Sequence, residues 1–232
     1  MGQLKLLRAV TFCAFTGLLY VGIPLLGWGL DDLPGYFSNP ARFGYVVLVG
    51  LFSIAVGIQA FNSTEGIRGR AGEANKFVFR QRIVRVVLVL SLYIALFFIP
   101  FFDRYAIGVF DDGSLARWLG VVLSALGFSL VFGSGLALGR QYSADVTIQK
   151  DHHLITSGVY QLIRHPRYLG VIALSTGVSC VFRSWIGLLA SLFFVAVLFF
   201  RIRDEEATME KEFGVQWEAY CERSWRLIPY IY

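Results

Sequence analysis

The sequence predicts an all-α integral membrane protein of about six transmembrane helices, the last two forming a tight helical hairpin. Three observations carry this expectation. Of the 232 residues, 56% are hydrophobic and 16% charged, far less charge than a soluble domain of this size carries. The mean hydropathy is +0.61. The apolar residues gather into stretches of spanning length, and the basic residues cluster beside them.

The first stretch, 9–29, reads AVTFCAFTGLLYVGIPLLGWG and is uncharged. It lacks a small-residue cleavage site and runs to spanning length, so it reads as a membrane helix and not as a removed leader. Further spans are predicted at 43–61, 84–102 and 118–138, each about 19 to 21 residues long against the roughly 20 needed at 1.5 Å per residue. The stretch 168–200 is too long for one crossing, and Arg183 and Ser184 interrupt it. About 15 residues precede the break and about 16 follow, which predicts a hairpin with its tip at Arg183; a re-entrant pair also fits.

Loop charges orient the set. The loop 62–82 carries Arg68, Arg70, Lys76, Arg80 and Arg82, whereas 30–42 and 103–117 carry the acidic pairs Asp31–Asp32 and Asp111–Asp112. Because Lys and Arg stay on the cytoplasmic side, the amino terminus is expected there. So are the 139–167 segment and the tail after the hairpin. The net charge of +5 sits beside apolar segments, as in cytoplasmic loops, which argues against a nucleic-acid partner. Cys13, Cys180 and Cys221 are scattered, which predicts neither a disulfide framework nor a zinc site. No metal site is expected. Two regions follow: 1–138, four membrane helices without a recognised motif, and 139–232, where the chemistry-bearing residues lie.

In that second region, RHPRY places Pro166 where a helix begins, since proline's missing N–H costs nothing in the first turn. His165 falls near the cap, and the helix start with Arg164 and Arg167 favours a carboxylate or phosphate. Arginines snorkelling to lipid phosphates would explain the charges, but not the His–Pro–x–Tyr order or the flanking Gly158 and Gly170. In RIRDEE, Arg201 and Glu205 stand one helical turn apart, as do Arg203 and Glu206. An ordinary ion pair at a helix emerging into water explains this; so does a guanidinium and carboxylate presented to an interfacial cavity. His152 and His153 alone read as solvated loop residues. In FGVQWEAYCERSW, Trp217, Tyr220 and Trp225 read as anchors of an amphipathic helix on the membrane interface.

The ordered set resembles the isoprenylcysteine carboxyl methyltransferase family, whose wider relatives include membrane phospholipid N-methyltransferases. The matching residues are His152, Leu154, Ile155, Thr156, Gly158 and Tyr160, then Arg164, His165, Pro166, Tyr168 and Gly170. After the hairpin come Arg201, Glu205 and Glu206, then Phe213, Gly214, Trp217 and Tyr220. The resemblance implies a cytosolic site for S-adenosylmethionine and methyl transfer to a lipophilic acceptor entering from the bilayer. It places the cofactor among His152, Leu154, Gly158, Tyr160, Arg164, His165, Pro166, Tyr168 and Gly170, with Glu206 on its amine or ribose. Arg201 would orient an acceptor carboxylate, and Glu205 would hold Arg201 or act as base toward an amine. Carboxyl O-methylation of an isoprenylcysteine-like substrate is the expected reaction. Alternatives are N-methylation of a phospholipid amine, methylation of another small hydrophobic acceptor, and, outside catalysis, a small transporter or scaffold. A transporter would show repeats and polar groups within its spans.

Overall fold

A computed structural model of the chain describes residues 2–62, 79–111, 114–138 and 154–231, the side chains of 79–85 excepted. Regular structure among them is helical, apart from two isolated bridges. The helices are α1 (Gly2–Trp28), α2 (Leu33–Ser38), α3 (Pro40–Asn62), α4 (Phe79–Arg104), α5 (Ser114–Leu138), α6 (Pro166–Val181), α7 (Trp185–Phe213) and α8 (Val215–Glu222). The chain is thus an all-α multi-pass membrane protein. Five of the described helices, α1, α3, α4, α5 and α7, are long and apolar enough to cross a bilayer. The expected hairpin forms, with Arg183 at its tip in a left-handed conformation (φ 51°). Its first arm, α6, has 16 residues, or about 24 Å, somewhat short of the roughly 30 Å hydrocarbon layer. Helix α1 begins at Gly2, a turn and more before the expected 9, and changes to π-helical winding at Leu18–Gly22.

In an apolar solvent, burial of apolar surface gives helices little reason to associate; close backbone packing does. Helices α5 and α6 meet along such a seam. A Cβ added to Gly127 would lie 2.7 Å from the Gly170 carbonyl, and one added to Gly120 would lie 2.6 Å from that of Gly177. Ser124 and Ser134 return their hydroxyls to carbonyls one turn back, at 2.8 and 2.6 Å, so these two buried hydroxyls on α5 are satisfied without water. Trp28, Tyr36, Tyr45, Leu96, Phe128 and Phe182 belong to the core between these helices.

The two ends of the bundle differ. At the hairpin tip, Asp103 is fully enclosed and takes three guanidiniums. Arg42 donates at 2.8 Å, Arg117 at 3.0 Å and Arg183 at 2.8 Å. A buried carboxylate is costly unless paired and hydrogen-bonded. Here it joins α3, α4, α5 and the hairpin turn. Ser184 then caps α7 by accepting from the Gly187 N–H at 2.9 Å. The opposite end carries the residues singled out from the sequence.

Candidate active site

The segment before α6 is built by pairing with the tail. Arg164 N–H donates to Trp225 O at 2.7 Å, His165 N–H to Arg226 O at 3.1 Å, and Trp225 N–H to Leu162 O at 2.9 Å. Gly158 starts a short turn at φ 61°, a conformation glycine adopts without strain. The turn brings Tyr160 inward, where its carbonyl accepts from the Tyr220 hydroxyl at 2.7 Å. Burial pushes the Tyr220 phenol up to about 12, so it remains a donor at neutral pH.

Pro166 opens α6 and is buried, with His165 as the N-cap residue. The Arg164 guanidinium donates to Cys221 O at 3.0 Å and to Ser224 O, meeting the carbonyls that the end of α8 leaves unsatisfied. Glu206 lies between these pieces. Its carboxylate is reached by His165 Nε2 at 3.1 Å, Arg164 Nε at 3.4 Å and Arg226 Nη2 at 2.6 Å. It therefore ties α7 to the start of α6 and to the tail, instead of pairing along its own helix with the exposed Arg203.

One turn earlier on α7, Arg201 is buried to 8% exposure. Its Nε donates to the Tyr168 hydroxyl at 2.8 Å, and that hydroxyl donates to Glu205 Oε2 at 2.5 Å. The His165 ring stacks on Tyr168, with centroids 5.5 Å apart. A phenol of α6 thus stands between two residues of α7 that one helical turn separates.

These groups head a cleft of about 430 Å³ that continues down between α4, α6 and α7. Leu154, Tyr160, Arg164, His165, Tyr168, Arg201 and Glu205 line its head. Gly170 instead packs against α5, where an added Cβ would lie 2.9 Å from Gly127 O. His152 lies outside the described residues. Trp217 and Tyr220 correct the expectation of interfacial anchors. Both are buried and line the cleft, because α8 folds back under the α6 start instead of lying on the lipid surface.

Sequence reasoning missed Arg226, whose partner Glu206 is 20 residues away. It also missed Tyr20 and Met209 on the cleft wall. Arg167, expected from the RHPRY motif to favour an anion, lines the same wall. Tyr20 comes from the π-helical turn of α1, a local distortion that often marks functional positions, and hydropathy carries no trace of it.

The comparisons agree with the resemblance read from the tail. Residues 115–216 match the family model described as phospholipid methyltransferase. Protein-S-isoprenylcysteine O-methyltransferase B of Arabidopsis thaliana is 31% identical over 132 residues, 53% of this chain and 66% of that protein. A Delta(14)-sterol reductase of Mus musculus is 37% identical over 83 residues, 34% of this chain and 20% of that protein. This chain therefore spans less than two thirds of either relative. A solved structure of the eukaryotic intramembrane Ras methyltransferase, isoprenylcysteine carboxyl methyltransferase, superposes with a TM-score of 0.53 at 23% identity. The superposition covers 94% of this chain and 75% of that one, a likeness of fold.

Proposed function

We propose that this chain, a relative of the isoprenylcysteine and phospholipid methyltransferases through its carboxy-terminal half, is an S-adenosylmethionine-dependent membrane methyltransferase. Its reaction on this reading is carboxyl O-methylation of an isoprenylcysteine-like acceptor. The observation that carries the reading is the Arg201–Tyr168–Glu205 chain at the head of an apolar cleft. The lining there suits the methyl donor. Leu154, Ile155, Tyr160 and Trp217 offer apolar and aromatic walls for an adenine. Arg167 and His165 present positive or hydrogen-bonding groups to an amino-acid carboxylate, and Glu205 is a counter-charge for a cation. When bound, the donor supplies an electrophilic methyl group on a sulfonium.

The chain's own residues do the rest. Tyr168 holds the Arg201 guanidinium through Nε, so its planar fork is oriented before an acceptor arrives. A fork so oriented binds a carboxylate through two parallel hydrogen bonds. Glu205, by accepting from Tyr168, sets the direction of that phenol. A carboxylate acceptor arrives ionised, so no base is required; Arg201 aligns it, and the apolar walls exclude water. Glu206 is a positioning residue here, because it assembles the α6 start against the tail. His152 joins the cofactor site only by resemblance. The basic loop 62–82 supports a cytoplasmic head for the cleft.

The identity to a sterol reductase favours one other reading, reduction of a lipophilic alkene in the same cleft by a hydride donor. Calorimetry on the purified chain in nanodiscs separates the two. The methyltransferase reading expects saturable binding of S-adenosylmethionine or its demethylated product. Saturable binding of a reduced nicotinamide dinucleotide, with none of the methyl donor, would replace it.

A further inference from the structure

We infer that the floor of the cleft measures the acceptor's lipophilic chain, and that Ala190 and Ser175 set the longest chain admitted. This rests on the methyltransferase reading above and adds residues that neither motif nor resemblance assigns.

The cleft closes where α4, α6 and α7 converge. A Cβ placed on Gly187 would lie 2.6 Å from Ser179 Oγ and 2.9 Å from Ile99 Cδ1, so the three helices touch there and leave no passage for a chain between them. The head is equally defined, at Arg201 and Tyr168. Between Gly187 and Arg201 the α7 helix rises about 21 Å at 1.5 Å per residue. Over that depth the wall is Ala190, Phe194 and Leu198 from α7 and Leu92, Ala95 and Leu96 from α4. It is apolar throughout. The serines near the floor do not alter this, because Ser179 donates to Ser175 O at 2.7 Å and Ser191 to Gly187 O at 2.9 Å. Their hydroxyls are satisfied by their own helices, so the floor can receive an apolar terminus without stranding a polar group.

Ala190 and Ser175 stand just above this floor on facing helices, and both are half-buried in the cleft wall. A larger side chain at either one would fill the last turn of depth while leaving the head unchanged. An acceptor of full length would then be unable to seat its carboxylate at Arg201. A shorter one would seat as before, so the effect is on the preference between chains and not on all acceptors alike. An arrangement that merely stabilised the fold would lower every acceptor together.

The test uses S-prenylated N-acetylcysteines with ten-, fifteen- and twenty-carbon chains, on the full chain in nanodiscs. Two readouts are taken: methylation from labelled S-adenosylmethionine, and thermal stabilisation by each acceptor without the donor. In Ala190→Leu the ratio of kcat/KM for the twenty-carbon to the ten-carbon acceptor is expected to fall about tenfold or more. Stabilisation by the twenty-carbon acceptor should fall with it. Ser175→Val, a smaller change on the other helix, should move both in the same direction. If the protein methylates the series and neither variant shifts the ratio, the ruler is overturned while the methyltransferase reading stands. If the wild-type protein neither methylates nor is stabilised by any member, both are overturned.

Discussion

At the scale of single residues, the proposed reaction would rest on Arg201. Lysine keeps the charge at this position but loses the planar fork and the bond to Tyr168. With a carboxylate acceptor, Arg201→Lys should cost about 2–3 kcal/mol, or roughly 30- to 150-fold in kcat/KM. Donor affinity measured by calorimetry should stay within a few fold. Glu205→Gln should be milder in that case, since an amide oxygen still accepts from Tyr168. If the acceptor were an amine the order would reverse. Arg201 would repel the protonated form, Glu205→Gln would be the more damaging change, and activity would rise with pH as the amine lost its proton. Tyr168→Phe tests the link itself. It removes one donor and one acceptor between a buried guanidinium and a half-buried carboxylate, so kcat should fall about tenfold or more with either acceptor.

At the scale of elements, two joints hold the site. One is Glu206, on which α6, α7 and the tail meet through His165, Arg164 and Arg226. Removing the carboxylate leaves clustered positive charge, and breaking such a partly buried pair costs on the order of 3 kcal/mol. Glu206→Ala should therefore weaken donor binding and lower the melting temperature together, whereas Arg201→Lys should move only turnover. The other joint is the α5–α6 seam. Gly170→Val would push a branched side chain against the Gly127 carbonyl, where a Cβ alone already lies at 2.9 Å. The expected result is a destabilised protein whose donor affinity falls only as its folded fraction does, because Gly170 faces the seam and not the cleft. Thermal unfolding paired with calorimetry on the same sample distinguishes the two joints.

At the scale of the whole molecule, the bundle is closed at one end by the Asp103 cluster and carries the head of the cleft at the other. Asp103→Asn would leave Arg42, Arg117 and Arg183 gathered without a carboxylate, a loss of about 3–5 kcal/mol in stability. Sidedness can be checked with single cysteines at exposed Asp111 and Arg203, in a background with Cys13, Cys180 and Cys221 replaced. The two should label from opposite faces, Arg203 from the cytoplasm. Much of this was legible in the sequence because its signals are local. Spans follow from runs of apolar residues, the hairpin tip from Arg183 and Ser184, the α6 start from Pro166, and the shared helix face of Arg201 and Glu205 from helical spacing. What escaped is long-range. The Asp103 cluster draws on residues 42, 103, 117 and 183, each of which looks like a stray charge at a span end. Arg226 meets Glu206 only once the tail has folded back, and the burial of Trp217 and Tyr220 depends on that same return.

On the proposed reading, this cleft moves a methyl group to a lipid-linked carboxylate held by Arg201. The most direct measurement of this is transfer of labelled methyl from S-adenosylmethionine by the purified chain in nanodiscs, with farnesylated N-acetylcysteine and phosphatidylethanolamine offered side by side. The expected result is a base-labile methyl ester on the prenylcysteine, reduced about 30-fold or more in Arg201→Lys. Robust methylation of phosphatidylethanolamine, with Arg201→Lys fully active and no ester formed, would contradict it.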